Sequence, residues 1–285
     1  WLYEWADQVS FLDGHVRAFE HFGAVPHRIV YDNLTSAVRR MLMPERELTA
    51  RFMALRSHYL FEASFARPGT GHDKGGVEAR GKGIRLQHLV PIPRGGSLGE
   101  ISAEMLVRID RRAGEQRGRD GKTVLERFTE ERSVMLPILS PGFEPAKVVV
   151  CSVSRSALVK VGGATYSVPS HWKSETATAY VGADTVRIVL RGESVSYERA
   201  GFGRRVVRYE HYLAELSRKP QAVRQVAAEL LIELGEPYGE LWRDLVDVHG
   251  PREAARVFAR VLAAVVDHGR DRVARAIASA LGADR

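Results

Sequence analysis

Ile29-Val30-Tyr31-Asp32 and, after a glycine-rich loop, Lys74-Gly75-Gly76-Val77-Glu78 are the two segments whose reading decides the fold. The first is a short apolar run closed by an acid, the pattern of a buried strand with a carboxylate at its C-terminal end. The second follows Pro68-Gly69-Thr70-Gly71-His72-Asp73 and sets Glu78 at the opening of a helix. In open α/β sheets, ligands gather where strands end and helices begin. Asp32 and Glu78 can therefore converge on one site. Two carboxylates meeting there repel unless a cation lies between them, and hard oxygen donors suit Mg²⁺ or Mn²⁺. Most pairs of acids in a chain of this kind are simply solvated, so residue types alone leave both readings open.

Outward from these segments, residues 5–22 carry Val9, Leu12, Val16 and Phe19 at helical spacing, and Gly23 stops the helix. Asn33 to Met43 reads as a loop entering a short helix. Glu45 to Tyr59 reads as a second helix with Leu48, Phe52, Leu55 and Tyr59 on one face, and Phe61 to Phe65 as another strand. Gly81 and Gly83 weaken the helix that Glu78 opens by about 1 kcal/mol each relative to alanine. Residues 91–97 are a connector, 98–109 a helix, 111–122 an Arg- and Gly-rich linker or exposed basic loop, and 124–136 a helix. Pro141-Gly142 and Pro145 mark a domain boundary.

From Lys147 the period changes to that of strands. Val148–Val150, Leu158–Val161, Ala164–Val168, Thr176–Val181, Val186–Leu190 and Ser194–Tyr197 are short and separated by turn residues, among them Gly162-Gly163. Short strands at this spacing predict a small β-barrel. Beyond Pro220 the chain reads as helices, with Pro220, Pro237 and Pro251 at their starts and Gly235, Gly250 and Gly269 at their ends. Short connections of this kind predict antiparallel neighbours in a small bundle.

With 285 residues, 45% of them hydrophobic, the chain can bury a sizeable core. Its net charge of +7 favours a polyanionic partner over mere solubility. One cysteine, Cys151, excludes internal disulfides and cysteine-rich zinc sites, as expected in a reducing cytoplasm. No apolar run reaches membrane-spanning length and no signal peptide opens the chain. The first residue is Trp1 rather than Met, so the chain is expected to be cut from something longer.

The segment from Phe22 to Val38 resembles the surroundings of the second catalytic Asp in IstA-type transposases, the insertion-sequence-21 family. Ser57-His58-Tyr59 followed by Lys74-Gly75-Gly76-Val77-Glu78 resembles the approach to that family's catalytic Glu. The likeness continues weakly to about residue 210, and Tyr166-Ser167-Val168-Pro169 is similar to the barrel after the catalytic core in this family and in phage Mu-type transposases. The resemblance implies an α/β fold, the later half of an RNase H-like (DDE) core over residues 1–143, then a small β-barrel over 144–211 and an α-helical tail over 212–285. It implies Asp32 and Glu78 as catalytic metal ligands at a two-metal Mg²⁺ or Mn²⁺ site. It also implies that the first catalytic Asp lies before Trp1, because Asp7 and Asp13 both fall in the first helix.

Expected phosphate contacts are Lys74, Arg80, Lys82 and Arg85, with His72 a weaker candidate and Asn33 able to orient Asp32. His58 and Tyr59 fit packing as well as function. In the barrel, Lys160, Lys173, Arg187, Arg204 and Arg205 read more simply as solvating charges than as DNA contacts. The implied activity is strand cleavage and transfer that joins element ends to target DNA, with an AAA+ ATPase of the IstB type and further copies of the chain as partners. The alternatives are an inactive remnant that only holds DNA or a partner, and a non-transposing RNase H-like nuclease.

Overall fold

The computed structural model describes residues 1–31, 38–41, 46–65 and 75–283, with 38–41, 46–47, 75–80 and 283 described by backbone alone. The chain divides into two compact units, residues 1–146 and 147–285.

In the first unit, α1 (Gln8–Phe22) begins where the Asp7 carboxylate accepts the Ser10 N–H at 2.8 Å and ends at Gly23 in the left-handed region, φ 65°. β1 (Arg28–Tyr31) follows. β2 (Val38–Met41) and β3 (Arg46–Leu48) pair with each other antiparallel. α2 (Ala50–Tyr59), capped by Thr49, leads through Leu60 into β4 (Glu62–Phe65). β4 lies parallel to β1, in register from Arg28↔Glu62 to Tyr31↔Phe65. Leu12, Val16 and Phe19 of α1 and Phe52, Leu55 and Tyr59 of α2 bury one face each and meet around Val25, Tyr31 and Phe61. α3 (Gly75–His88), α4 (Leu98–Glu115) and α5 (Val124–Arg132) complete the unit. A reciprocal cap, Thr123 with Glu126, starts α5.

Two expectations change here. Between Val38 and Leu48 the described segments pair as strands, in place of a loop and helix, and α2 starts only at Ala50. The Arg-rich run from Arg111 is helical as far as Glu115, because arginine is a good helix former whatever its charge. The loop beyond it is knitted together by Arg117 Nη1 donating to the Gly121 carbonyl at 2.6 Å and by the Arg127–Asp120 and Lys122–Glu130 ion pairs, both 2.5 Å.

The second unit opens with β5 (Lys147–Ser152), β6 (Leu158–Val161) and β7 (Ala164–Ser167), and continues with β8 (Thr176–Val181), β9 (Thr185–Leu190), β10 (Glu193–Glu198) and β11 (Arg205–Val206). These form two sheets, of order β10-β9-β8-β5 and β11-β7-β6, around one core that includes Val159, Tyr166, Trp172, Ala179, Ile188 and Tyr197. The closed barrel expected from strand spacing is therefore corrected to an open pair of sheets among the described residues. Closure needs backbone ladders across both gaps. Between β5 and β6 the chain instead turns, with the Ala157 N–H donating to the Ser154 carbonyl. On the β10 side it is side chains that span the gap: the Tyr197 hydroxyl donates to the Ser167 carbonyl at 2.6 Å, and the Ala200 N–H donates to the Tyr166 hydroxyl at 2.8 Å.

A short α6 (Leu213–Leu216) leads to α7 (Pro220–Leu234), α8 (Tyr238–His268) and α9 (Arg270–Ala283), packed through Val223, Leu230, Leu234, Tyr238, Phe258, Leu262 and Ile277. α8 is kinked at Gly250 (φ 74°, ψ 163°), directly before Pro251, as the Gly-Pro punctuation predicts. No described helix is long and apolar enough to cross a membrane.

Candidate functional site

The strand that precedes Asp32 is fixed by its last residue. Tyr31 is buried among Phe11, His15, Phe52, Phe61 and Phe65, with ring centroids between 5.1 and 6.5 Å away. His15 Nδ1 lies 2.7 Å from the Phe11 carbonyl, which can only accept, so that nitrogen carries the proton. Nε2 is then an acceptor for the Tyr31 hydroxyl at 2.9 Å. Burial pushes the His15 pKa down and the Tyr31 phenol up, so both groups stay neutral at ordinary pH. The end of β1 is thereby held by a dry aromatic cluster and one hydrogen bond.

The parallel pair brings the C-terminal ends of β1 and β4 side by side, at Tyr31↔Phe65. Glu78 belongs to the first turn of α3, which opens three residues earlier at Gly75 than the sequence predicts. Asp32, Asn33, His72 and Lys74 lie outside the described residues, and the side chains of Glu78 and Arg80 do as well. Lys82 and Arg85 are exposed on α3, at helical spacing from position 78. Among the described residues no three His, Cys, Asp or Glu gather as a metal set.

Other sequence candidates have structural partners. Tyr59 is buried and its hydroxyl accepts the Phe143 N–H at 3.3 Å. His58 stacks edge-on against Tyr59, with centroids 4.7 Å apart, and its buried Nε2 has no partner among the described residues. In the second unit Lys173 is paired with Glu215, and Arg187 lies over the Tyr180 ring at 4.1 Å. Lys160, Arg204 and Arg205 are exposed. A cavity of about 950 Å³ runs along α1 and β1, walled by Trp1, Trp5, Phe22 and Ile29, and it is too apolar to suggest phosphate chemistry.

Residues 139–209 match the family described as Mu transposase, C-terminal domain. A transposase of Aminobacter aminovorans is 30% identical over 282 residues, covering 94% of this chain and 54% of its own length. The transposase for insertion sequences IS1326/IS1353 of Pseudomonas aeruginosa is 29% identical with the same coverage. The transposase of insertion sequence element IS21 from Pseudomonas aeruginosa is 28% identical over 155 residues, 54% of this chain and 40% of that protein. The chain spans about half the length of the first two relatives. With the aligned stretch running through both units and the Mu-type match within it, these similarities support an IS21-type transposase.

Proposed function

We propose that this chain takes part in DNA transposition as the portion of a DDE-type polynucleotidyl transferase that carries Asp32 and Glu78. The observation that carries the proposal is the parallel β1–β4 pair: Asp32 follows the last residue of β1 in sequence, and Glu78 lies in the first turn of the helix after β4. That is the strand-end arrangement at which α/β sheets hold ligands. The relatives' names and the Mu-type match support the reaction class. The RNase H-like topology, and the division at 143/144 and 211/212 into core, sheet part and helical tail, belong to the same proposal.

The donor set suits a hard cation. Two carboxylates offer oxygen ligands only, whereas the single thiol, Cys151, is buried in the second unit. When bound, a pair of Mg²⁺ or Mn²⁺ ions supplies Lewis acidity at the attacking and leaving oxygens of an in-line phosphoryl displacement. The chain's own part is to hold that set, with Asp32 and Glu78 as ligands and neither as general base. Tyr31 and His15 position the β1 end beneath it. Lys74, Arg80, Lys82 and Arg85 steady the phosphates around it. In this proposal the partners are element-end and target DNA, an AAA+ ATPase of the IstB type, and further copies of the chain.

The test is Glu78→Gln in a full-length transposase containing this chain. Strand transfer is expected to be lost while DNA binding stays within about two-fold of wild type. Joining activity equal to wild type would remove the metal-ligand role and leave a DNA- or partner-holding remnant as the better description.

A further inference from the structure

Two helices of the second unit each begin at a proline, and the two beginnings lie together. α7 starts at Pro220, and the downstream half of α8 restarts at Pro251 after the turn at Gly250. Val223 and Leu230 of α7 pack in the same core as Phe258, Ala259 and Leu262 of α8, which fixes the two helices side by side. A cavity of about 430 Å³ opens between them, lined by Pro220, Gln221 and Arg224 on one side and Arg252, Ala255 and Arg256 on the other. Its charged lining is three guanidiniums without a carboxylate.

The charge here is only partly neutralised from within. Arg256 gives one nitrogen to Glu253 at 2.9 Å in an exposed pair, which leaves most of its donors unused. Among the described residues, no hydrogen bond or ion pair ties Arg224 or Arg252 to an acceptor. Three like charges around one concavity repel, and an anion with several oxygens relieves that repulsion. Planar guanidinium forks match phosphate oxygens better than they match a point charge or an apolar ligand. The lining has no aromatic ring on which a base could stack, so it suits a backbone phosphate and offers nothing to a free nucleotide's base. Arg252, Arg256 and Arg260 also recur every four residues, about 6 Å apart along the axis, so the row can follow a phosphate backbone past the cavity.

We propose that this arginine-lined cavity is a phosphodiester site that holds the backbone of DNA outside the catalytic core. It rests on the DNA-transposition reading for its ligand, though not on the roles of Asp32 and Glu78.

The experiment is fluorescence anisotropy of the 285-residue chain with two labelled duplexes of unrelated sequence, titrated from about 50 to 200 mM salt. The comparison is with the triple variant Arg224→Ala, Arg252→Ala, Arg256→Ala. All three side chains are exposed, so the melting temperature is expected to stay within a few degrees. Log affinity against log salt is expected to flatten by about 2–3 units of slope, because each lost phosphate contact is worth about 0.9. Affinity at about 100 mM salt should fall at least ten-fold, and equally on both duplexes. The single charge reversal Arg252→Glu provides a second variant and should lower affinity on its own.

An unchanged slope in the folded triple variant overturns the proposal. So does ATP binding that the triple variant abolishes while DNA affinity stays at the wild-type level, since the cavity would then serve a free nucleotide. Glu78→Gln should keep the full wild-type slope, so failure of the catalytic proposal and failure of this one give different results.

Discussion

Acidification should destabilise the second unit through His211, and the size of the effect follows from the environment of the ring. His211 Nδ1 lies 2.9 Å from the Ser167 hydroxyl, which also accepts the Arg208 N–H at 2.9 Å. Burial first, and then the Arg208 charge, push the imidazole down from 6.5 to about 4. A histidine whose folded pKa is depressed is neutral in the native state and charged in the unfolded chain between the two values. Stability is therefore whole above about 6.5 and drains away as pH falls toward about 4. Between pH 7.5 and 5 the linkage relation gives about 2 kcal/mol for a fully sheltered ring. His211 is only partly buried, so solvent screening reduces this to about 1 kcal/mol. The assay is urea unfolding at both pH values, followed by hydrogen exchange in β7 for the wild type and for His211→Gln. The wild type should lose about 1 kcal/mol more than the variant on acidification. An equal loss in both proteins would refute the assignment of the pH dependence to this ring.

Two further outcomes can be checked with simpler variants. Tyr31→Phe strips the His15 ring of its hydroxyl donor and leaves Nε2 unsatisfied in a mostly buried position, so the first unit should lose about 1–2 kcal/mol in a denaturant melt. Thr123→Ala removes the half of the α5 cap in which the Thr123 hydroxyl accepts the Glu126 N–H, and keeps the backbone N–H that donates to the Glu126 carboxylate. It should cost about 1 kcal/mol, visible as faster exchange at Glu126 and Arg127 with little change in the second unit.

Much of the architecture could be read from local pattern. The apolar face of α1, the strand before Asp32, the strand ending at Phe65 and the proline–glycine punctuation of α7 to α9 are written in residues close together in sequence. Failures arose where a decision depends on residues far apart. The sequence from Val38 to Leu48 reads as a loop entering a short helix and then the start of a second helix, yet the described segments gain strand character by pairing with each other. Strand spacing finds β5 to β10 but does not say whether β5 meets β6 through its backbone, and so it suggests a barrel where two sheets stand. Of the candidate site, Asp32 and Glu78 stood out because a strand end and a helix start are local signals, and the resemblance added their roles. The arginine cavity is not legible in the sequence because Arg224 and Arg252 are brought together only by packing of α7 on α8.

The parallel pairing of β1 with β4 also sets an order of events during folding. Arg28 must find Glu62 across a long intervening segment, whereas Leu190 finds Glu193 across a tight turn. Closing the longer loop carries a larger entropic penalty, which burial of the core around Tyr31 offsets. The antiparallel meander β8–β9–β10 is thus expected to form first, with the strand leading to Asp32 settling later, an order that pulsed hydrogen exchange during refolding would check.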